Sequence, residues 1–408
     1  MKIWHPYIQE ASESPPIPIE RAEGTHLYTR DGRRLIDGIS SWWVNLHGHA
    51  HPLIADAIAT QSRKLEHVIF AGFTHEPAEE LAARLGRVLP PGLDRLFYSD
   101  NGSTAVEVAL KIAIQYWYNR GRKEKNQIVA LEHAYHGDTI GSMSVSADSP
   151  FTAAFDALRL PVLRVRDAND LERLLTAKKY EVAALIVEPL IQGAGGMRIY
   201  PADELKRFQQ ICAAHDVLFI ADEVFTGFGR TGRMFACEHA EITPDLMCLS
   251  KGLTGGFLPL AVTICRTEIY SAFYTTNSLH TFFHGHSYSG NPLGCAAAIA
   301  SLRIFEQEPV FDRIAAIERI HGERLVEFRS HPAVADVRML GTIAAIELRA
   351  DDPGYLSSLR SRLYDFFINA GVLLRPLGNV VYTVPPYVIA SDELQYIYDV
   401  IEKALKAV

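Results

Sequence analysis

The chain has 408 residues, an apolar share of 48% and a formal charge of −8, values of an ordinary globular protein long enough for a large α/β unit or two to three domains. The acidic balance leaves no basic footprint and argues against nucleic acid as a partner. Five scattered cysteines (Cys212, Cys237, Cys248, Cys265, Cys295) form no CxxC pair and read as free thiols of a reducing compartment. The opening MKIWHPYIQE lacks a basic-then-apolar leader, and no apolar run approaches the ~18 residues needed to span a bilayer, so a soluble, cytoplasmic protein is expected.

The proline-rich Ser14-Pro15-Pro16-Ile17-Pro18 cannot be helical, because proline fixes φ and lacks the N–H donor. Leu27 to Asp37 reads as a hairpin turning at Asp31-Gly32. The adjacent Trp42 and Trp43 follow; both can be core, or one can face a ligand, since each indole N–H needs a partner. From His51 to Gly92 the pattern is helical, first with Ile54, Ile58 and Leu65 after Pro52, then with Leu81 and Leu85 after Pro77. Leu96 to Ser99 is a short strand, broken by Asp100-Asn101-Gly102-Ser103-Thr104. Val106, Leu110, Ile114 and Trp117 then recur at helical spacing. A strand, a glycine-bearing turn and a helix start suit an anion, which free N–H groups and the helix dipole attract. Simple capping by Ser103 or Thr104 is the alternative.

A further strand, Gln127 to Leu131, runs into Glu132-His133-Ala134-Tyr135-His136-Gly137-Asp138, where an aromatic can stack on a flat ring or merely pack. Ala183 to Val187 ends at Glu188-Pro189. The glycines of Gln192-Gly193-Ala194-Gly195-Gly196 lack GxGxxG spacing, so no nicotinamide-dinucleotide site is read there. The stretch Val217 to Lys251 is the most informative. The apolar run Val217 to Ala221 stops at Asp222-Glu223, and the run Leu246 to Leu249 stops at Ser250-Lys251. Such runs read as buried strands of a parallel sheet, whose carboxyl ends face the ligand crevice. Asp222 and Lys251 are then either solvated strand-end charges or a carboxylate and an amine delivered to one site. The second option is what pyridoxal phosphate asks of a protein.

Beyond Lys251, Gly252 to Gly256 reads as a flexible turn, Thr281 to Pro292 as a loop and Ala296 to Phe305 as helix. From Pro309 to Val408 a smaller α+β region has strands near 341–348 and 380–384. Arg375 lies in a Gly/Pro turn after an apolar strand, where its guanidinium can bind a carboxylate or stay solvated. The clusters His47-Gly48-His49-Ala50-His51 and His284-Gly285-His286 lack a marked third or fourth ligand, so no metal is expected. Strands alternating with helices throughout give an α/β class with a mostly parallel sheet.

In this order the units resemble the class III PLP-dependent aminotransferases over essentially the whole chain. Leu218–Gly232 (LFIADEVFTGFGRTG) and Leu249–Gly252 (LSKG) are similar to that family's signature. The segments Trp4–Tyr7, Asp37–Trp43, Gln192–Met197 and Arg375–Gly378 are most similar to the branch that aminates 8-amino-7-oxononanoate in biotin synthesis. At Gly285-His286-Ser287 the family usually shows Gly-Pro-Thr, so the hydroxyl is kept and the rigid proline is not. The resemblance implies a fold type I homodimer with active sites at the subunit interface. It implies a large PLP-binding domain over 48–308, with a seven-stranded type of sheet, and a small α+β domain built from 1–47 and 309–408. It further implies that Lys251 carries the cofactor and shuttles a proton, and that Asp222 pairs with the pyridine nitrogen. Gly102 and Ser103 would hold the phosphate, joined by Ser287 of the partner subunit. Tyr135 would stack on the ring. Tyr7, Trp42, Trp43, Gly285 and Arg375 would line the substrate pocket, with Arg230 a second polar contact and Asp138 in support. The expected donor is S-adenosylmethionine, with lysine, or another ω-aminotransferase substrate such as ornithine, 4-aminobutyrate or a diamine, as alternatives.

Overall fold

In the computed structural model, which describes residues 3–407 apart from 179 and 358, the chain opens with three antiparallel strands. They are β1 (Ile19–Glu23), β2 (His26–Thr29) and β3 (Arg34–Asp37). β2 and β3 form the expected hairpin, its tight turn allowed by a left-handed Gly32 at φ 86°.

The main sheet follows. Its strands are β4 (Leu93–Ser99), β5 (Gln127–Leu131), β6 (Val162–Val165) and β7 (Val182–Val187). A small ribbon of β8 (Ile191–Gln192) and β9 (Arg198–Ile199) intervenes before β10 (Leu218–Asp222), β11 (Leu246–Leu249) and β12 (Ala261–Arg266). The seven strands lie in the order β4-β12-β11-β10-β7-β5-β6. Only β12 runs against its neighbours, pairing antiparallel with both β11 and β4. The inner strands β7, β10 and β11 are buried on both faces, which explains why they are almost continuously apolar rather than alternating. Val129, Leu185, Phe219 and Met247 join the core on one face, while Ile128, Ala184, Ile220 and Leu246 join the core on the other.

The helix Gly102–Asn119 packs on this second face. Its start is set by a reciprocal cap: Asn101 Oδ1 accepts from Thr104 N at 3.1 Å, and Thr104 Oγ1 accepts from Asn101 N at 3.1 Å. The first expected helical stretch resolves into Pro52–Ser62 and Glu76–Val88, with Leu65 beyond the end of the first helix. The expected helix at Ala296 to Phe305 extends over Pro292–Gln307, capped by Asn291.

The C-terminal region adds β13 (Val334–Leu340), β14 (Ile343–Leu348), β15 (Val372–Leu373) and β16 (Val380–Thr383). β13, β14 and β16 form an antiparallel sheet, while β15 pairs in parallel with β3. The two ends of the chain therefore share a sheet and pack beside the carboxyl edge of the main one. Among the described residues no helix is long and apolar enough to cross a membrane.

Candidate active site

The parallel strands β7, β10 and β11 all release their chains at the same edge of the sheet, so Glu188, Asp222 and Lys251 emerge together. A cavity of ≈ 410 Å³ opens there, lined by all three and by Gly102, Ser103, Tyr135, His136, Trp43 and Phe225. The crevice at strand carboxyl ends is where open α/β sheets bind ligands.

Lys251 begins a short 3₁₀ turn with its backbone at φ 42° and extends its amine between two aromatic faces. Nζ lies 4.6 Å from the Trp43 ring centroid and 5.6 Å from that of Phe225. Burial pushes the amine down to about 8, although Asp222 and Glu188 pull the other way. Asp222 is held by two contacts. Its Oδ1 accepts from Val224 N at 3.1 Å, and its Oδ2 lies 2.6 Å from His136 Nδ1. His136 is buried, and its Nε2 has no hydrogen-bond partner among the described residues. Glu188 accepts from Tyr135 N and Gly193 N, both at 2.9 Å. Burial raises its carboxyl to about 7, with Asp222 adding to the rise.

The anion end of the cavity is built from glycine. A Cβ on Gly102 would lie 2.6 Å from Val224 Cγ1, and one on Gly137, at φ 130°, would strike Ser103 Oγ at 2.0 Å. Backbone thus approaches the cavity where side chains could not. Because Asn101 caps at Thr104, the N–H groups of Gly102 and Ser103 at the helix start remain free of intrahelical bonds and suit an anion. The expected caps Ser103 and Thr104 divide: Thr104 serves the cap box, while Ser103 Oγ accepts from Asp138 N at 3.1 Å.

Tyr7, Trp42 and Arg375 form a second cluster beside this cavity. Tyr7 meets the Trp42 ring edge-on at 5.4 Å, and the Arg375 guanidinium sits 5.4 Å from the Trp42 centroid while Nη2 donates to Tyr7 O at 3.3 Å. Asp138 joins the two clusters, accepting hydrogen bonds from Tyr135 Oη at 3.0 Å and from Tyr7 Oη. Burial and the Asp138 bond raise the Tyr7 phenol to about 12, and burial raises that of Tyr135 further. Trp43, unlike the half-exposed Trp42, is buried and donates from Nε1 to Tyr382 Oη at 3.2 Å.

The structure does not bring three of the expected residues into this group. Arg230 is buried behind Trp43, where its guanidinium donates to Pro385 O at 2.9 Å and to Trp43 O at 3.4 Å. Gly285 and Ser287 are exposed on the loop preceding helix Pro292–Gln307 and do not line the Lys251 cavity. His286 of that loop stands 3.8 Å from Asp100. Two residues went unmarked by the sequence reading of the site. His136 directly follows Tyr135, and Glu188 ends β7 as Asp222 ends β10, so the strand-end argument applied to a third strand would have found it. In the first histidine cluster, His47 Nε2 hydrogen-bonds Ser301 Oγ at 3.0 Å and His49 Nε2 hydrogen-bonds Asp37 at 2.8 Å.

The donor set fits pyridoxal phosphate. A glycine-built anion cradle, a carboxylate backed by a histidine, and an amine held near neutrality stand around one cavity, with Tyr135 on its wall.

Comparison with known proteins agrees. The model of the family described as Aminotransferase class-III matches residues 7–405. The adenosylmethionine-8-amino-7-oxononanoate aminotransferase of Synechococcus elongatus is 49% identical, the match covering 99% of this chain and 98% of that protein. The protein of the same name from Geobacter sulfurreducens is 41% identical over 100% of this chain and 96% of its own length. Among solved structures, the enzyme of that name from Methanocaldococcus jannaschii superposes with a TM-score of 0.96 at 37% identity, covering 100% of this chain and 97% of that one. A PLP-bound amine transaminase from an uncultivated Pseudomonas species superposes with a TM-score of 0.93 at 32% identity, covering 100% and 99%. With its seven-stranded α/β sheet, its lysine and aspartate at adjoining strand ends and a family match over nearly its whole length, this chain belongs to the class III aminotransferases.

Proposed function

We propose that the protein transfers an amino group to 8-amino-7-oxononanoate, forming 7,8-diaminononanoate for biotin synthesis, with S-adenosylmethionine as donor and pyridoxal phosphate as cofactor. The carrying observation is the convergence of Lys251, Asp222 and Glu188 on one cavity beside the Trp42–Arg375 cluster, in a chain 49% identical to a relative bearing that name. Pyridoxal phosphate, when bound, supplies a carbonyl that condenses with amines and a protonated ring that withdraws electrons from the attached carbon.

The side chains divide the remaining work. Asp222, fixed by His136 and Val224 N, presents its carboxylate to a ring nitrogen and keeps a proton there. Lys251 would anchor the cofactor, and its amine, when free, would carry a proton between the substrate carbon and the cofactor carbon, in one direction for the donor and in the other for the acceptor. Burial favours this by lowering the charge on that amine near neutral pH. Gly102 and Ser103 would hold the phosphate through the helix start, and Tyr135 would cover the ring. Trp43 and Phe225 exclude water from Nζ. Arg375 takes the substrate carboxylate, while Trp42 and Tyr7 pack along an apolar chain, a wall that suits two unlike substrates in turn. Arg230 supports this wall from behind through the Trp43 carbonyl. The enzyme works as a cytoplasmic homodimer, in which Ser287 and Gly285, exposed on their own chain, complete the neighbouring site.

The test is product formation by mass spectrometry, supplying 8-amino-7-oxononanoate with S-adenosylmethionine, lysine, ornithine or 4-aminobutyrate. Diaminononanoate is expected with S-adenosylmethionine. Formation with lysine alone reassigns the donor, and absence of product with every donor overturns the substrate.

A further inference from the structure

The turn that carries both tryptophans is held in an unfavourable backbone shape. Ser40, Ser41 and Trp43 have φ of 51°, 60° and 68°, a region that costs energy for any residue with a Cβ and persists only where the surroundings enforce it. The enforcing group is the carboxylate of Asp37 at the end of β3, which is fully buried. Its Oδ1 accepts from Ile39 N at 3.1 Å. Its Oδ2 accepts from Ser41 N at 2.6 Å and Ser41 Oγ at 3.2 Å, and meets His49 Nε2 at 2.8 Å. His49 is itself fixed, with Asn45 Nδ2 at 3.3 Å from its Nδ1 and its backbone bridged to Gly24. Because a carboxylate oxygen only accepts, His49 Nε2 carries a proton that it donates to Asp37.

What the turn displays is the reason it matters. Trp43 is sent inward, 4.6 Å from Lys251 Nζ, and Trp42 outward, against Tyr7 and Arg375. The buried carboxylate therefore helps to set the spacing between the reacting amine and the carboxylate-binding arginine, alongside the bonds of Ser40 Oγ to Val384 O and of Trp43 to Tyr382 and Arg230. Resting on the function proposed above, we infer that Asp37, oriented by His49, is a positioning residue that fixes the substrate pocket through the Ser40–Trp43 turn. Neither residue touches the cavity, so their removal acts on substrate fit before chemistry.

The test compares Asp37→Asn, His49→Leu and His49→Gln with wild type, all as cofactor-loaded enzyme. Asp37→Asn turns one acceptor oxygen into a donor facing N–H groups. Its KM for 8-amino-7-oxononanoate is expected to rise about tenfold with kcat changed less than about threefold, the pattern of lost binding rather than lost chemistry. Tryptophan emission should shift to the red as Trp43 loosens. His49→Leu should raise KM about threefold, and His49→Gln, which keeps a donor to Oδ2, should restore it. If Asp37→Asn does not fold, the His49 pair decides. An unchanged KM in a folded Asp37→Asn, or equal effects of Leu and Gln at 49, overturns the inference. Wild type that ignores 8-amino-7-oxononanoate overturns the proposed substrate instead; the emission shift then decides the positioning role alone.

Discussion

At the residue scale the chemistry depends on ionisable groups of the cavity that burial moves from their ordinary behaviour, Lys251 downwards and Glu188 upwards. Lys251 is the clearest. Its amine, held down at about 8, is neutral between that pH and ~10.4, where a surface lysine is still charged. Only the neutral amine captures an aldehyde. Recapture of pyridoxal phosphate by the cofactor-free protein, followed by absorbance, should therefore quicken as pH rises through about 8 and then level off. An ordinary lysine would keep quickening towards ~10.4. A rate that climbs without a plateau would place Lys251 in water. Arg375 has a different task, and Arg375→Ala should raise KM for the carboxylate substrate about tenfold to a hundredfold, as loss of a charge-assisted bond does. Unchanged steady-state constants would remove it from the pocket. Much of this was legible from residue types. Asp222, Lys251 and Arg375 stood out because charged residues closed apolar runs. His136 did not, because its importance is a 2.6 Å contact across 86 positions, which no local pattern records. Arg230 looked much like Arg375 in sequence; only packing reveals that its Nη1 and Nη2 donate to backbone carbonyls.

At the element scale the strand ends and one helix start carry the site. β5 and β11 coincide with the apolar runs Gln127–Leu131 and Leu246–Leu249, since strands buried on both faces leave an unbroken apolar signature. β12 was not legible. Its run Ala261–Arg266 resembles its parallel neighbours, and its reversed direction follows from the short return after Lys251 rather than from its composition. The turn read as flexible at 252–256 is in fact a 3₁₀ turn closed by a left-handed Gly255. The strained Ser40–Trp43 turn was equally hidden, because serine and tryptophan carry no signal for positive φ. At the anion cradle the geometry makes a sharp demand. Gly137→Ala would force a left-handed residue against Ser103 Oγ, 2.0 Å from the new Cβ. It should cost about 1–3 kcal/mol by thermal melting and weaken cofactor retention in equilibrium dialysis. A variant as stable and as tightly loaded as wild type would show that the cradle tolerates a side chain.

At the scale of the whole molecule, the two chain ends meet where β15 pairs with β3, bringing Arg375 beside Trp42 from opposite termini. The resemblance implied a small domain built from both termini, but no local pattern gave the strand pairing itself, which depends on contacts more than three hundred positions apart. Apolar side chains also remain uncovered along the loop that bears Ser287. Leu279, Phe283 and Tyr288 are exposed at 74%, 73% and 64%, more apolar surface than one loop leaves to water without a partner. Sedimentation should report a species of twice the 45.4 kDa chain, and Phe283→Asp should shift it towards one chain while loosening the cofactor. A monomeric wild type would deny the shared site. The most direct test of the account remains the lysine itself. Borohydride reduction of the protein with pyridoxal phosphate, followed by peptide mass mapping, should place the cofactor on Lys251, and Lys251→Ala should fold normally yet lose turnover by at least about a hundredfold. Cofactor mapped to another lysine, or turnover surviving in Lys251→Ala, would contradict it.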